Sequence, residues 1–159
     1  AELLQTPGIG PAKAARLLAA FELALRLDRE GRPSSPWISS PADVLSVVGP
    51  SLRDLSVEEF RLLALDTRSR LLREITITRG LLDSSLVHPR EVFRAAIAEA
   101  AAGIIVVHNH PSGDPTPSAE DRAVTRQLVA AGQLLDVPVY DHVIIAGDRY
   151  VSFATAGLL

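Results

Sequence analysis

The stretch from Gly103 to Asp121 constrains this chain more than any other. Gly103-Ile104-Ile105-Val106-Val107 is apolar, rich in β-branched residues and bounded by glycine, which predicts a buried strand. The strand delivers His108-Asn109-His110 at its exit. Side chains alternate faces along a strand, so His108 and His110 point the same way. A Pro- and Gly-rich loop, 111–117, then turns the chain. At Ser118 an apolar helical pattern begins, and Ser118-Ala119-Glu120-Asp121 has the form of a capping box. Asp121 is thereby expected in the first turn of a helix, able to swing back toward the two imidazoles. Two histidines and one aspartate make a three-ligand metal site with the fourth position open to water, the arrangement of catalytic rather than structural zinc. Imidazole and carboxylate suit Zn2+, and by ligand type manganese or iron as well.

Each of these residues also has a local role to weigh. The histidines could be polar caps of a strand end. Asp121 could be an acid placed favourably against a helix dipole, and Ser118 could be an N-cap satisfying an orphan N–H. The string His-Asn-His is not read as an HNH nuclease, whose catalytic residues are spread along a ββα hairpin. Ser112 lacks the Gly-x-Ser-x-Gly setting of a hydrolase nucleophile, so Asn109 and Ser112 are expected to shape the loop.

Composition narrows the classes. The 159 residues leave room for one ordinary domain and a small extension. With 47% hydrophobic and 22% charged residues the chain is a globular protein and not a disordered one. No apolar run approaches the roughly 18 residues of a membrane helix, and no signal peptide is visible. Cysteine is absent, which removes disulfides and Cys-held zinc, argues against a nucleobase deaminase, and is compatible with a cytoplasmic location. A net charge of -3 gives no global footprint for nucleic acid. The chain opens inside an amphipathic pattern and has no methionine, which suggests that an N-terminal part is missing.

Residues 1–29 read as two helical patterns around Gly8-Ile9-Gly10, the second ending near Asp28. Residues 30–41, rich in Gly, Pro and Ser, read as a linker, with Trp37 expected to dock it on the domain that follows. The domain 42–159 is expected to begin with a helix over Ala42–Val48, broken by Gly49-Pro50, with a short helical piece at Ser51–Leu55. An antiparallel hairpin of Glu59–Asp66 and Leu71–Thr78 follows. After an irregular segment from Gly80 to His88, the pattern gives a helix from Pro89 to about Ala102, the metal strand, a helix from Ser118 to about Leu135, and strands over Val139–Ala146 and Tyr150–Ala154. This order indicates an α/β domain, a mixed sheet with helices packed on it, preceded by a short helical segment.

His108-x-His110-Pro111, with Ser118 and Asp121 beyond it, resembles the motif of JAMM (MPN-plus) metallopeptidases. The fuller wording His-Asn-His-Pro-Ser-Gly-Asp-Pro-x-Pro-Ser-x-x-Asp, flanked by Val87-His88-Pro89-Arg90-Glu91-Val92-Phe93 and Asp141-His142-Val143-Ile144-Ile145, is similar to the bacterial RadC family over roughly residues 36–159. The resemblance implies a JAB/MPN-like, cytidine-deaminase-like architecture and a zinc-dependent hydrolase of amide or isopeptide-like bonds, in a family linked to DNA repair. It implies that His108, His110 and Asp121 hold Zn2+ and that Ser118 stabilises an oxyanion. The general base would be a glutamate near the start of an earlier strand: Glu58, Glu59 or Glu74, with the Glu-x-Phe spacing favouring Glu58. Asp141 and His142 are candidates to orient the metal-facing side chains, and His88 is read as structural. Gly8-Ile9-Gly10 resembles the hairpin of a helix-hairpin-helix motif, implying possible DNA contact through Gly8, Gly10 and Lys13. A peptide or protein is the expected substrate. A DNA-associated module with a structural metal site and a metal-dependent phosphodiesterase remain as alternatives.

Overall fold

A computed structural model describes residues 6, 9–30, 35–80 and 87–159, with 25–30 as backbone only. The chain divides into two compact units, Ala1–Ser35 and Pro36–Leu159. The first contains helix α1 (Pro11–Glu30), which opens on a proline whose missing N–H would have had no intrahelical partner. Gly10 immediately precedes α1 and Lys13 lies in its first turn, while Gly8 falls outside the described residues.

The second unit begins earlier than its composition suggested. Ile38 N–H donates to the Ser69 carbonyl and Leu71 N–H to that of Pro36, so residues 36–38 are stitched to the strand that starts at Leu71. Ile38, at 5% exposure, is the side chain that enters the core, whereas Trp37 is 63% exposed. The second half of the expected linker is therefore part of the domain, and Trp37 is not its anchor.

Helix α2 (Pro41–Leu52) is opened by a complete capping box, Ser40 with Asp43. It does not break at Gly49-Pro50. Val44, Val48 and Leu52 recur at helical spacing and are all buried, which carries the helix through. Ser46, whose carbonyl loses its partner at Pro50, is exposed like the proline itself, so water can satisfy it.

Strands β1 (Glu59–Leu65) and β2 (Leu71–Arg79) form the antiparallel hairpin. Helix α3 (Pro89–Ala98) ends four residues before the expected Ala102. Ala100 takes a left-handed φ of 52°, and the N–H groups of Ala100 and Ala101 return to the carbonyls of Ile97 and Ala96. This is a Schellman closure built on alanine where glycine is usual. Strand β3 (Gly103–Asn109), helix α4 (Ala119–Leu135), and strands β4 (Val139–Ala146) and β5 (Arg149–Ser152) complete the domain.

The sheet order is β2-β1-β3-β4-β5, with β3 and β4 parallel and joined through α4, and the other neighbours antiparallel. This is the mixed α/β sheet expected, consistent with a JAB-like fold. Alternation along the strands builds two cores. Phe60, Leu62, Ile104 and Val106 pack with Val92, Phe93, Val124 and Leu128 of α3 and α4. Leu63, Leu65, Ile105, Val107, Val143 and Ile145 pack with Val44, Val48 and Leu52 of α2. His108 continues the first series and so leaves the sheet toward α4. Among the described residues, no helix is long and apolar enough to cross a membrane.

Candidate metal centre

Strand β3 and the first turn of α4 bring His108, His110 and Asp121 together, with one ligand atom from each lying within 4.8 Å of the others. The His108 Nε2 is 2.9 Å from the His110 Nε2 and 3.1 Å from the Asp121 Oδ1. His108 is wholly buried and Asp121 is 6% exposed. The second carboxylate oxygen, Oδ2, accepts from the Ser118 N–H and the Ser118 hydroxyl, both at 2.7 Å. The Ser118 Oγ in turn accepts from the Asp121 N–H at 3.0 Å. Oδ1 thus faces His108, while Oδ2 serves the cap and lies 3.6 Å from the His110 Nε2. Ser118 is the N-cap of α4, and its single hydroxyl proton is directed at Asp121.

Hydrogen bonds fix which nitrogen each imidazole offers. Thr125 Oγ1 donates to the Asp121 carbonyl at 2.6 Å, because a carbonyl can only accept. Its contact with His142 Nδ1, also 2.6 Å, must then be received from an Nδ1–H. His142 is fully buried between Phe60 and Phe153. Burial first, and the neighbouring His108 charge second, push its pKa well below that of an ordinary histidine, so it is neutral. Its Nε2 is therefore an acceptor for the His108 Nδ1–H, 2.8 Å away. That leaves the His108 Nε2 lone pair facing Asp121 and His110. His110 reaches the same state by another route, with its Nδ1–H donated to the Asp114 carbonyl at 2.7 Å. Two Nε2 lone pairs and a carboxylate oxygen converge on one point, a donor set that fits zinc.

With zinc absent, an imidazole that carries a proton on Nε2 donates to Asp121 instead, and zinc must displace that proton. Burial alone would raise the Asp121 pKa, but hydrogen bonds from His108, His110 and Ser118 outweigh it and hold the carboxyl well below the usual range. The Asp121 carboxylate also raises the pKa of His110 against the effect of burial, assisted by the Asp114 carbonyl and the Glu58 charge.

The centre opens into a cleft of about 270 Å³ lined by Glu58, His110, Ser112, Ser118, Glu120 and Asp121. Of the three glutamates considered as base, Glu58 alone lines this cleft. Glu59 is buried and paired with Arg61 at 2.6 Å and Arg79 at 3.2 Å. Glu74 pairs with the same Arg61. Glu59 and Glu74 thus meet in one ion cluster, reached by Ser51 at the end of α2 and separate from the cleft.

Asp141 differs from expectation. It precedes His142 on β4, so alternation turns it to the opposite face. Its carboxylate accepts from the Ser152 hydroxyl at 2.6 Å, the Ala154 N–H at 2.9 Å and the His142 N–H at 2.7 Å. It braces β4 against the chain after β5 and touches no metal-facing side chain. His88 caps α3 through Nδ1, accepting from the Arg90 N–H at 3.1 Å. Thr125 was missed, and Asn109, expected to shape the loop, ends β3 and is bonded to another element instead. Thr125 lies one helical turn beyond Asp121, a spacing that could have flagged it. Asn109 is 2% exposed and reaches residues 57–59, for which no local sequence signal exists.

The sequence model of one protein family, described as the RadC-like JAB domain, matches residues 38–158. Among curated proteins, the chain is 48% identical over 158 residues to a UPF0758 protein of Methanosarcina mazei, covering 99% of this chain and 69% of that one. A UPF0758 protein of Syntrophotalea carbinolica is 48% identical over 158 residues, covering 99% and 70%. One from Salinibacter ruber is 46% identical over 159 residues, covering 99% and 68%.

Proposed function

The chain belongs to the RadC-like JAB family, and on that premise we propose that it is a zinc-dependent hydrolase acting on an amide or isopeptide-like bond. The observation that carries this is the convergence of the His108 and His110 Nε2 lone pairs with the Asp121 carboxylate at the mouth of a cleft that also holds Glu58. Zinc held by those three residues would supply Lewis acidity, lowering the pKa of water toward neutrality and polarising the scissile carbonyl.

The remaining steps belong to the protein. Glu58 takes the proton of the attacking water as its oxygen bonds to the carbonyl carbon. It then returns that proton to the leaving nitrogen as the C–N bond breaks, giving a carboxylic acid and an amine. Asp121 and the two imidazoles stay fixed through Ser118, Thr125, His142 and the Asp114 carbonyl. For Ser118 to steady the oxyanion as well, its hydroxyl must rotate away from Asp121, whose Oδ2 keeps the Ser118 N–H. Besides Asp121, which would hold zinc, Glu58 and Glu120 line the cleft, and a single metal with three protein ligands suits the phosphodiester alternative less well than a two-metal clamp would. A DNA-associated role draws on Gly10 and Lys13 of the first unit, and salt-dependent DNA affinity lost in Gly10→Leu would favour it.

The test is to load the protein with zinc and screen a quenched-fluorescent peptide library, beside Glu58→Gln. Hydrolysis lost by about 10²-fold or more in Glu58→Gln, with zinc retained, supports the assignment. Undiminished hydrolysis in that variant would remove Glu58 as the base.

A further inference from the structure

We propose that Asn109 is a positioning residue for Glu58: its side-chain amide extends the pairing of β1 and β3 by one step and holds the base at the cleft. The inference rests on the hydrolase reading above. The backbone register between the two strands runs from Leu65–Gly103 to Phe60–His108 and stops there. Just beyond, the Asn109 Oδ1 accepts from the Glu59 N–H at 2.8 Å, and its Nδ2 donates to the Val57 carbonyl at 3.0 Å. One planar amide thus satisfies the two peptide groups that flank Glu58. The third bond comes from the other side, where the Gly80 N–H donates to the Glu58 carbonyl at 2.8 Å. The backbone of Glu58 is therefore fixed from both neighbours in the sheet although the residue lies outside the strand.

Asparagine suits this place chemically. It carries one acceptor and two donors on a short, stiff side chain, whereas aspartate has no donor for the Val57 carbonyl and leucine has neither group. Asn109 also stands between His108 and His110, on the opposite face of β3. The metal strand thereby sets the position of the base through one residue, with no contact between Asn109 and the cleft. A base displaced by about 1 Å can lose about 10²-fold in rate, so this spacing is where control of Glu58 would be exercised.

Amide hydrogen exchange reads the clamp directly, in the full chain with zinc bound. The Glu59 N–H should exchange about as slowly as amides in the centre of β1. In Asn109→Ala and in the milder Asn109→Ser, it should lose about tenfold or more of that protection while the centres of β1 and β3 keep theirs. Zinc affinity should stay within about threefold of the parent, because His108, His110 and Asp121 are untouched. With p-nitrophenyl acetate and the peptide library as probes, Asn109→Ala should lower zinc-dependent turnover by about 10- to 100-fold. In a Glu58→Gln background the same change should have no further effect, since both act through one group. Two results overturn the proposal: Glu59 protection that falls only in step with global stability, and losses from Glu58→Gln and Asn109→Ala that multiply. Zinc binding with no hydrolysis of either probe would instead overturn the hydrolase reading, and the exchange data would still decide whether the clamp exists.

Discussion

Thr125→Val removes one hydroxyl from a residue that is 1% exposed and keeps its shape. The hydroxyl donates to the Asp121 carbonyl and accepts from His142 Nδ1–H, so its loss strands a buried N–H. In the metal-free protein the chain of imidazoles can reverse. His142 then donates from Nε2 to His108 Nδ1, and His108 carries its proton on Nε2, donating to Asp121 3.1 Å away. Only one weak acceptor is left unpaired, so the stability loss should be about 1 kcal/mol. Zinc needs the His108 Nε2 lone pair and must drive both imidazoles back, burying the unpaired His142 N–H at about 1–3 kcal/mol. Since 1.4 kcal/mol is tenfold in affinity, zinc binding should weaken by about 10- to 100-fold. Competition against a chromophoric chelator measures the affinity, and urea unfolding of the metal-free protein measures the stability. A large stability loss with zinc affinity changed by less than about threefold would refute the proton accounting at this site.

Ala100→Gly should stabilise the domain by about 1 kcal/mol in urea unfolding, because Ala100 holds a φ of 52° at the closure of α3 that glycine adopts freely. Ser118→Ala should weaken zinc binding as well as helix α4, since its hydroxyl holds the carboxylate of a metal-facing residue. Lost turnover with unaltered zinc affinity would instead mark the serine as an oxyanion donor. The Asp43 carboxyl lies below its ordinary pKa through hydrogen bonds from Ser39, backbone and side chain, and from Ser40. A depressed folded pKa contributes stability that is present above the unfolded value of about 4 and is lost as pH falls through the folded one. Unfolding measured from neutral pH into that range should therefore show a smaller acid loss in Asp43→Asn than in the parent.

Where the chemistry is local, the sequence reads well. The hairpin, the buried strand before His108, the capping box at Ser118 and the whole of β4 follow from period-two alternation, β-branched runs and cap residues. His108 and His110 share a face because they are two apart on or just past a strand, and Asp121 follows from the cap. The misses come from partners distant in sequence. Pro50 was expected to end α2, yet Val44, Val48 and Leu52 bury one face across it. Ile38 replaces Trp37 as the docked side chain because the anchoring bonds come from Ser69 and Leu71, some thirty residues away. Asp141 was grouped with His142 by adjacency, although adjacency on a strand means opposite faces. Thr125 and Asn109 act through His142 and residues 57–59, in other elements, so Thr125 did not stand out and Asn109 was assigned to the loop.

The most direct test of the account is the zinc content of the protein purified without chelator, measured by elemental mass spectrometry beside Asp121→Ala. About one zinc per chain is expected in the parent, held by three protein ligands with the fourth position open, and much less in the variant. A parent that takes up no zinc even when it is supplied, or a variant that binds as much as the parent, would contradict it.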